Sequence, residues 1–250
     1  MFKEERYDKI LKIIEQENYI SADDLSRKLY VSLPTVRRDL AELHRRGQII
    51  RSRGGAKKVN TENIVMPLNF RKTLNLPQKR KLCEAAAALI KENSLILIDA
   101  SSTVMQIADF ITGNNSVTVV TNGIPLSVAL SKKGIKTYCT GGEIQGQSLG
   151  FAGSYAEQFI AGFNFDVCFF SSKGVTEDGM IVDTSGPENM LRKAALRHSK
   201  KSVFLCDATK LNLTAPFNLA HISDISCVVT DHLEIASKSY DIKKEIKTVK

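Results

Sequence analysis

No apolar run in this chain approaches the roughly 20 residues that a membrane-spanning helix requires. The five cysteines, Cys83, Cys139, Cys168, Cys206 and Cys227, are odd in number, none stands in a Cys-x-x-Cys pair, and most lie in apolar runs. That argues against a disulfide frame and against a zinc site, and reads instead as buried, reduced thiols of a cytoplasmic protein. The N-terminus opens with alternating charges rather than an apolar core, so no secretory leader is expected. Internal repeats and low-complexity tracts are lacking. Basic residues abound, but no basic helix has the bulky aromatic and leucine face that inserts into a bilayer, so a membrane surface is a poor partner for them.

What is there is a 250-residue chain with 43% hydrophobic residues and a net charge of +8. The size suits two domains. The positive charge is uneven. Up to Asn60, Lys and Arg outnumber Asp and Glu fourteen to nine; beyond it, twenty-one to eighteen. From Leu33 to Asn60 the ratio is eight to two. A basic block of this kind suits a polyanion.

Within the block, Val31 to Leu43 reads as a helix. Ser32 is placed to cap it, and Pro34 fits a first turn where its missing N–H costs nothing. Leu33, Val36, Leu40 and Leu43 recur at helical spacing and form an apolar stripe. Pro34, Arg38, Ala41 and Arg45 point away from that stripe, with Thr35 and Arg37 on its flanks. A helix that reads a DNA groove needs such a face, with small residues for close approach and arginine forks for phosphates or guanine edges. Taken alone, the same face fits an ordinary solvated helix better, since charged outer faces are the norm. The neighbours favour the groove. Tyr7, Ile10, Leu11 and Ile14 define a first helix over Glu4 to Glu17, and Tyr19-Ile20 offers a short strand. Ser21 caps a second helix, with Asp24 in a capping-box position and Ala22, Leu25 and Leu29 facing inward. A tight turn at Tyr30-Val31 joins the second helix to the third, which makes a helix-turn-helix. Gly47 ends the third helix. Two short strands around Gly54-Gly55 then form a wing, whose Arg51, Arg53, Lys57 and Lys58 suit the flanking phosphates or the minor groove. Asp39 is read as orienting Arg38 or Arg37.

These residues together resemble the DeoR family of bacterial transcription regulators. The matching positions are Val31-Ser32, Thr35 to Leu40, Leu43, Gly47, Ile50-Arg51 and Gly54-Gly55-Ala56. The family's usual histidine before the double glycine is Arg53 here, which keeps a donor and adds charge. On this basis residues 1–59 form a winged helix-turn-helix domain that contacts double-stranded operator DNA through Ser32, Pro34, Thr35, Arg37, Arg38, Arg45, Arg51, Arg53, Gly54, Gly55 and Lys57. Residues 60–81 read as a linker with a short helix around Phe70 and Leu74 and a basic cluster at Lys79 to Lys81, which fits a solvated turn before a helix better than a supplement to DNA contact. The resemblance continues through it at Arg71 and Lys79.

From Leu82 the pattern alternates. An alanine-rich helix, Leu82 to Glu92, precedes apolar runs at Leu95–Asp99, Val117–Thr121, Ile135–Thr140, Val167–Ser171, Ser202–Asp207 and Cys227–Thr230. Helical segments such as Thr103 to Ile111 and Glu188 to His198 intervene. Alternation of this sort predicts a largely parallel sheet with helices on both faces over residues 82–250. A short helix and a last strand, Ile246 to Val249, are expected in the tail. Five runs end in polar residues: Asp99 to Thr103, Thr121-Asn122-Gly123, Thr140-Gly141-Gly142, Ser171-Ser172-Lys173 and Asp207 to Lys210. Ligands of open α/β sheets bind beyond the carboxyl ends of the strands. Ser101, Ser102 and Thr103 therefore read as a phosphate cradle at a helix start. Gly141 and Gly142 permit close backbone approach, Lys173 or Lys210 supplies countercharge, and Asp99 and Asn122 suit sugar hydroxyls. Any one of these turns is better explained as a simple cap or strand-end turn; five on one edge favour a small polar ligand. The same segments resemble the effector domain of the DeoR family, which is related in fold to ribose-5-phosphate isomerase and senses phosphorylated sugars. That resemblance implies a repressor of a sugar-metabolism operon, acting as a homodimer or homotetramer, with a phosphorylated sugar as effector and no cofactor, metal or catalytic residue. Glu188 stands where the family often has a site-facing acid, and also suits a helix cap. His198 reads as exposed or paired with a helix C-terminus. The alternative is a sugar-phosphate isomerase with a DNA-binding appendage. Asp178, Glu188, Lys173 and Asp207 are available to it, but no linear motif arranges them as a catalytic set.

Overall fold

The computed structural model describes residues 2–17, 19–45, 48–52, 54–58, 67–112, 116–232 and 245–249. It divides into two compact units, Met1–Met66 and Pro67–Lys250.

In the first unit α1 (Lys3–Glu17), β1 (Tyr19–Ser21), α2 (Ala22–Leu29), α3 (Leu33–Arg45), β2 (Ile49–Ser52) and β3 (Gly55–Lys58) follow one another. The apolar stripes converge as their spacing dictates. Tyr7, Ile10 and Ile14 of α1, Leu25 and Leu29 of α2, and Val36, Leu40 and Leu43 of α3 share one core with Ile49 and Ala56. The Ser21 hydroxyl accepts from Asp24 N at 3.0 Å and caps α2. Tyr30 closes α2 in the left-handed region (φ 53°) and turns the chain into α3. The wing is a three-stranded antiparallel sheet of order β1-β3-β2. Gly55 lies opposite Ser21, where an added Cβ would stand 2.2 Å from the Ile20 carbonyl oxygen.

The second unit begins earlier than residue 82. The stretch read as linker already contains α4 (Leu68–Arg71) and α5 (Leu76–Ala87). Leu68 is buried, its N–H donates to the Gln147 carbonyl, and Lys79, Leu82, Cys83 and Ala86 form the inner face of α5. Pro77 starts α5 rather than breaking the chain. There follow β4 (Leu95–Ile98), a 3₁₀ helix at Val104–Asp109, β5 (Thr118–Thr121), α6 (Ile124–Lys132), β6 (Lys136–Cys139), β7 (Glu143–Gln145), β8 (Gly150–Ala152), α7 (Ser154–Ala161) and β9 (Phe165–Phe170). Then come β10 (Gly174–Val175), β11 (Met180–Asp183), α8 (Gly186–Arg197), β12 (Ser199–Cys206), β13 (Phe217–His221), β14 (Cys227–Thr230) and β15 (Glu245–Thr248).

Seven of these strands form a wholly parallel sheet, β15-β14-β12-β9-β4-β5-β6. Alternation along β4 sends Ile96 and Ile98 to the layer of α5, the 3₁₀ helix and α6, and Leu97 to the layer of α7 and α8. Both faces are covered, which is why the strands read as continuous apolar runs rather than alternating ones. All six strands expected between Leu95 and Thr230 are present, and the expected last strand is β15. The tail helix expected beyond Glu234 lies outside the described residues. A small antiparallel sheet, β10-β11-β13, was not legible in the apolar runs. Among the described residues, no helix is long and apolar enough to cross a membrane, and no His, Cys, Asp and Glu cluster has metal-binding geometry. Cys83, Cys168, Cys206 and Cys227 are buried, and burial pushes the Cys83 and Cys206 thiols up to about 12.

Candidate DNA-binding face and effector site

In the first unit, α3 buries Val36, Leu40 and Leu43 and leaves Ser32, Pro34, Arg37 and Arg38 exposed, with Thr35 half-buried. The Ser32 and Thr35 hydroxyls meet at 2.8 Å. Asp39 does not orient either arginine beside it. It is buried, and both its carboxylate oxygens accept from Arg6 of α1, Oδ1 from Nη2 at 3.0 Å and Oδ2 from Nε. The Asp39 bond outweighs partial burial and raises the Arg6 pKa above its ordinary value. This two-bond clamp ties α3 to α1 and leaves the guanidinium groups of Arg37 and Arg38 on the exposed face.

The wing departs from expectation in two respects. Gly55 is buried against β1, so its missing side chain serves the sheet rather than a DNA contact. Arg51 lies opposite Ala56 and Lys57 opposite Ile50, which sends these two exposed cations to opposite faces of the hairpin rather than along one stripe. Gly54 is exposed, with φ 79°. Arg53 and Gly47 lie outside the described residues, as do the side chains of Arg45 and Lys58.

In the second unit, the five polar strand ends stand along one edge of the parallel sheet, in the order Asp207, Ser171, Asp99, Thr121, Thr140. Buried polar residues crowd that edge: Asp99, Ser101, Ser102, Thr103, Thr121, Asn122, Thr140, Ser171, Ser172 and Asp207. Several are committed to the protein itself. The Asn122 carboxamide accepts from Ala100 N and donates to the Phe151 carbonyl, both at 2.9 Å, so one of its bonds at each end is spent in tying the loops after β4 and β5 to β8. The Thr121 hydroxyl accepts from Gly123 N. Gly142 (φ 110°) is glycine because a Cβ would meet the Ala152 carbonyl oxygen at 2.8 Å and Ala156 Cβ at 3.2 Å, which is a packing demand. Gly141 (φ 67°) has open space where its side chain would be. Ser171 donates to the Leu205 carbonyl and Ser172 to that of Gly174. Lys173 is half-buried beyond β9.

The cradle at Ser101 to Thr103 also differs from its helix-dipole reading. Six residues of 3₁₀ helix follow it, too short and too poorly aligned for a substantial macrodipole. Ser101 N–H donates to Asp99 Oδ1 at 3.0 Å, and Val104 N–H to the Ser101 hydroxyl. Positive charge comes from side chains instead. Lys79, expected as solvent-facing, is 5% exposed; its ammonium donates to the Arg71 carbonyl at 2.5 Å and to the Ser102 hydroxyl at 3.4 Å. Lys210 donates to the Ser172 carbonyl. Burial first, then the Lys210 ammonium, depress Lys79 to about 8, with Asp207 opposing and Arg71 adding to the fall. Asp207 caps the turn that carries Lys210, accepting from Thr209 N at 3.1 Å. Ser102, Lys79, Lys210 and Asp207 therefore form one polar group at the β4 and β12 tips.

Beside it lies a group that the sequence did not disclose. Arg192 of α8 is buried and donates to Asp99 Oδ2 at 2.8 Å, Asp183 Oδ2 at 2.7 Å and Glu188 Oε2 at 3.4 Å. Burial disfavours its charge, yet Asp183, Asp99 and Glu188 together raise its pKa. Burial likewise disfavours the Asp183 carboxylate, but Arg192 and the N–H groups of Thr184 and Ser185 hold it below the usual range. Arg71 is electrostatically coupled to the same carboxylates, with burial lowering its pKa. Glu188 thus faces the site through Arg192, while Ser185 caps α8 by accepting from Glu188 N. His198 closes α8 at its C-terminus. Asp178 sits in the turn before β11, at the opposite end of that strand from Asp183, and pairs with Thr176.

Cations gather at one end and carboxylates locked to an arginine at the other, a polarity suited to an anion that also carries hydroxyls. The helix-turn-helix unit matches the DeoR-like helix-turn-helix domain over residues 6–62, and the α/β unit matches the DeoR C terminal sensor domain over residues 74–232. The HTH-type transcriptional regulator GolR of Listeria innocua is 32% identical over 93% of this chain and 92% of its own length. The lactose phosphotransferase system repressor of Staphylococcus epidermidis is 29% identical over 95% of this chain and 96% of its own. Among solved structures, ribose 5-phosphate isomerase A of Methanocaldococcus jannaschii aligns over 55% of each chain with 15% identity and a TM-score of 0.42.

Proposed function

Because the chain belongs to the DeoR family of transcription regulators, we propose that it represses a sugar-metabolism operon and is modulated by a phosphorylated sugar bound at the strand ends of its α/β unit. Membership of that family makes it a regulator and not an enzyme, which retires the isomerase alternative. The exposed face of α3, with Arg37, Arg38, Thr35 and Pro34, enters the major groove of operator DNA. A single helix-turn-helix reads one short half-site, so two or more copies of the chain act on paired half-sites.

One observation carries the effector assignment. Burial and the neighbouring Lys210 depress the Lys79 ammonium beside Ser102. Two crowded, partly desolvated cations are costly until an anion joins them. A phosphate group satisfies both, and the Ser101–Thr103 loop adds hydroxyls. The ligand changes DNA affinity only through unequal affinity for the DNA-bound and released arrangements.

The test is a thermal-shift screen of the full chain against pentose and hexose phosphates, their unphosphorylated sugars and inorganic phosphate. A phosphorylated sugar is expected to raise the melting temperature by mass action and to change operator affinity in a fluorescence-anisotropy titration. A melting temperature that no phosphorylated compound moves overturns the effector assignment; absence of binding to any genomic operator duplex overturns the DNA assignment.

A further inference from the structure

We infer that Arg192 is a positioning residue of the effector site, the buried cation that offsets Asp99, Asp183 and Glu188 so that an anion is accepted at Ser102, Lys79 and Lys210. The inference rests on the assignment of that edge as the effector site. Three elements converge on Arg192. Asp99 stands at the tip of β4, two residues before the cradle; Asp183 ends β11 of the small antiparallel sheet; Glu188 lies in the first turn of α8. Asp99 and Asp183 are nearly sealed from water. With Arg192 in place its guanidinium bonds one oxygen of each, while their other oxygens accept from the Ser101, Thr184 and Ser185 N–H groups.

The physical consequence concerns sign. Without Arg192, three carboxylates would stand beside a site that must accept a dianion, and the lowered local dielectric would amplify the repulsion. Asp99 is also the acceptor that holds the Ser101 N–H, so the guanidinium that orients Asp99 Oδ2 sets the entry to the cradle. A lysine at 192 keeps the charge but lacks the fork that reaches three acceptors from one planar group. The neighbouring small sheet and α8 are thereby held to the strand edge by charge rather than by apolar packing alone.

Because the claim is electrostatic, the carboxylates and the arginine should move anion affinity in opposite directions. The probe is inorganic phosphate, titrated by calorimetry into the full chain, with the best sugar phosphate as a second arm. Glu188→Gln removes the charge of the most distant of the three acceptors, leaves Arg192 held by Asp99 and Asp183, and is expected to tighten inorganic phosphate roughly three- to tenfold. Arg192→Gln is expected to weaken it by a similar factor or more. If Arg192→Gln does not fold, the Asp183→Asn/Arg192→Gln double variant restores the charge count and is expected to bind inorganic phosphate within about threefold of wild type, whereas a loss beyond about tenfold overturns the electrostatic role. Phosphate affinity unchanged in Glu188→Gln, or moved in the same direction by Glu188→Gln and Arg192→Gln, overturns the role of Arg192 while leaving the effector site standing. A wild-type chain that takes neither inorganic phosphate nor any sugar phosphate overturns the site itself.

Discussion

Replacing Lys79 with methionine tests the crowded-cation argument directly. Burial and Lys210 bring the Lys79 ammonium from its ordinary 10.5 down to about 8. At about 1.4 kcal/mol for each tenfold change in proton affinity, holding that charge in the ligand-free protein at pH 7 costs roughly 3 kcal/mol. Methionine removes the charge and keeps most of the apolar stem, but leaves the Arg71 carbonyl and the Ser102 hydroxyl without their donor. Those two losses cost about 1 kcal/mol each, so a net gain of about 1 kcal/mol remains. For a unit of this size, that is a rise of about 2–4 °C in melting temperature. The pH dependence gives the sharper reading. The folded-state pKa lies below the unfolded one, so under pH 8 both states hold the proton and the penalty is fully present. Between about 8 and 10.5 the folded protein has released a proton that the unfolded chain keeps, and wild-type stability rises with pH. The advantage of Lys79→Met is therefore expected at pH 7 and lost by pH 10, in melts followed by circular dichroism. Inorganic phosphate should stabilise the wild type at pH 7 and leave Lys79→Met unmoved. A variant less stable than wild type at pH 7, with a gap that pH does not change, refutes the crowding; equal stabilisation of both by phosphate refutes its link to the effector.

The DNA-binding head yields two more tests. Arg38→Ala should weaken operator binding by about 1–3 kcal/mol while changing binding to unrelated duplex far less, as a guanine-reading arginine requires; equal operator titrations for variant and wild type would remove Arg38 from the groove. Asp39→Ala strips the clamp from a largely buried Arg6 and is expected to lower the stability of the first unit by about 3 kcal/mol in urea. The charge-exchanged Arg6→Asp/Asp39→Arg protein should recover part of the loss, and a cost below about 0.5 kcal/mol would reduce the clamp to an ordinary surface pair.

Much of this protein was legible in order along the chain. Three amphipathic helices, the Ser21 cap, the wing and six parallel strands all follow from local periodicity and capping chemistry, which act over a few residues. Even Lys79 left a trace that the charge cluster around it obscured. Lys79, Leu82, Cys83 and Ala86 stand at i, i+3, i+4 and i+7, the inner stripe of one helix, so the lysine occupies a core position. Arg192 is similar, flanked by buried Leu191, Ala194 and Ala195 on α8. A charge on an apolar stripe marks a buried partner, but periodicity does not say which one. Gly55 and Gly142 run the other way: the sequence suggests a DNA contact at the first and close approach of a ligand at the second, and in both the space is taken by neighbouring residues of the protein.

By itself the sequence determined the two-part organisation, the basic head with its exposed arginine face, and the polar strand ends of a parallel sheet, because each depends on residues close together in the chain. Only the tertiary structure decided which charges meet. Asp39 takes Arg6 from 33 residues away rather than its neighbours, and Arg192 takes Asp99 from 93. Ion pairing depends on distance in space and on exclusion of water, and neither is encoded locally; both arise when helices pack against one another and against the sheet.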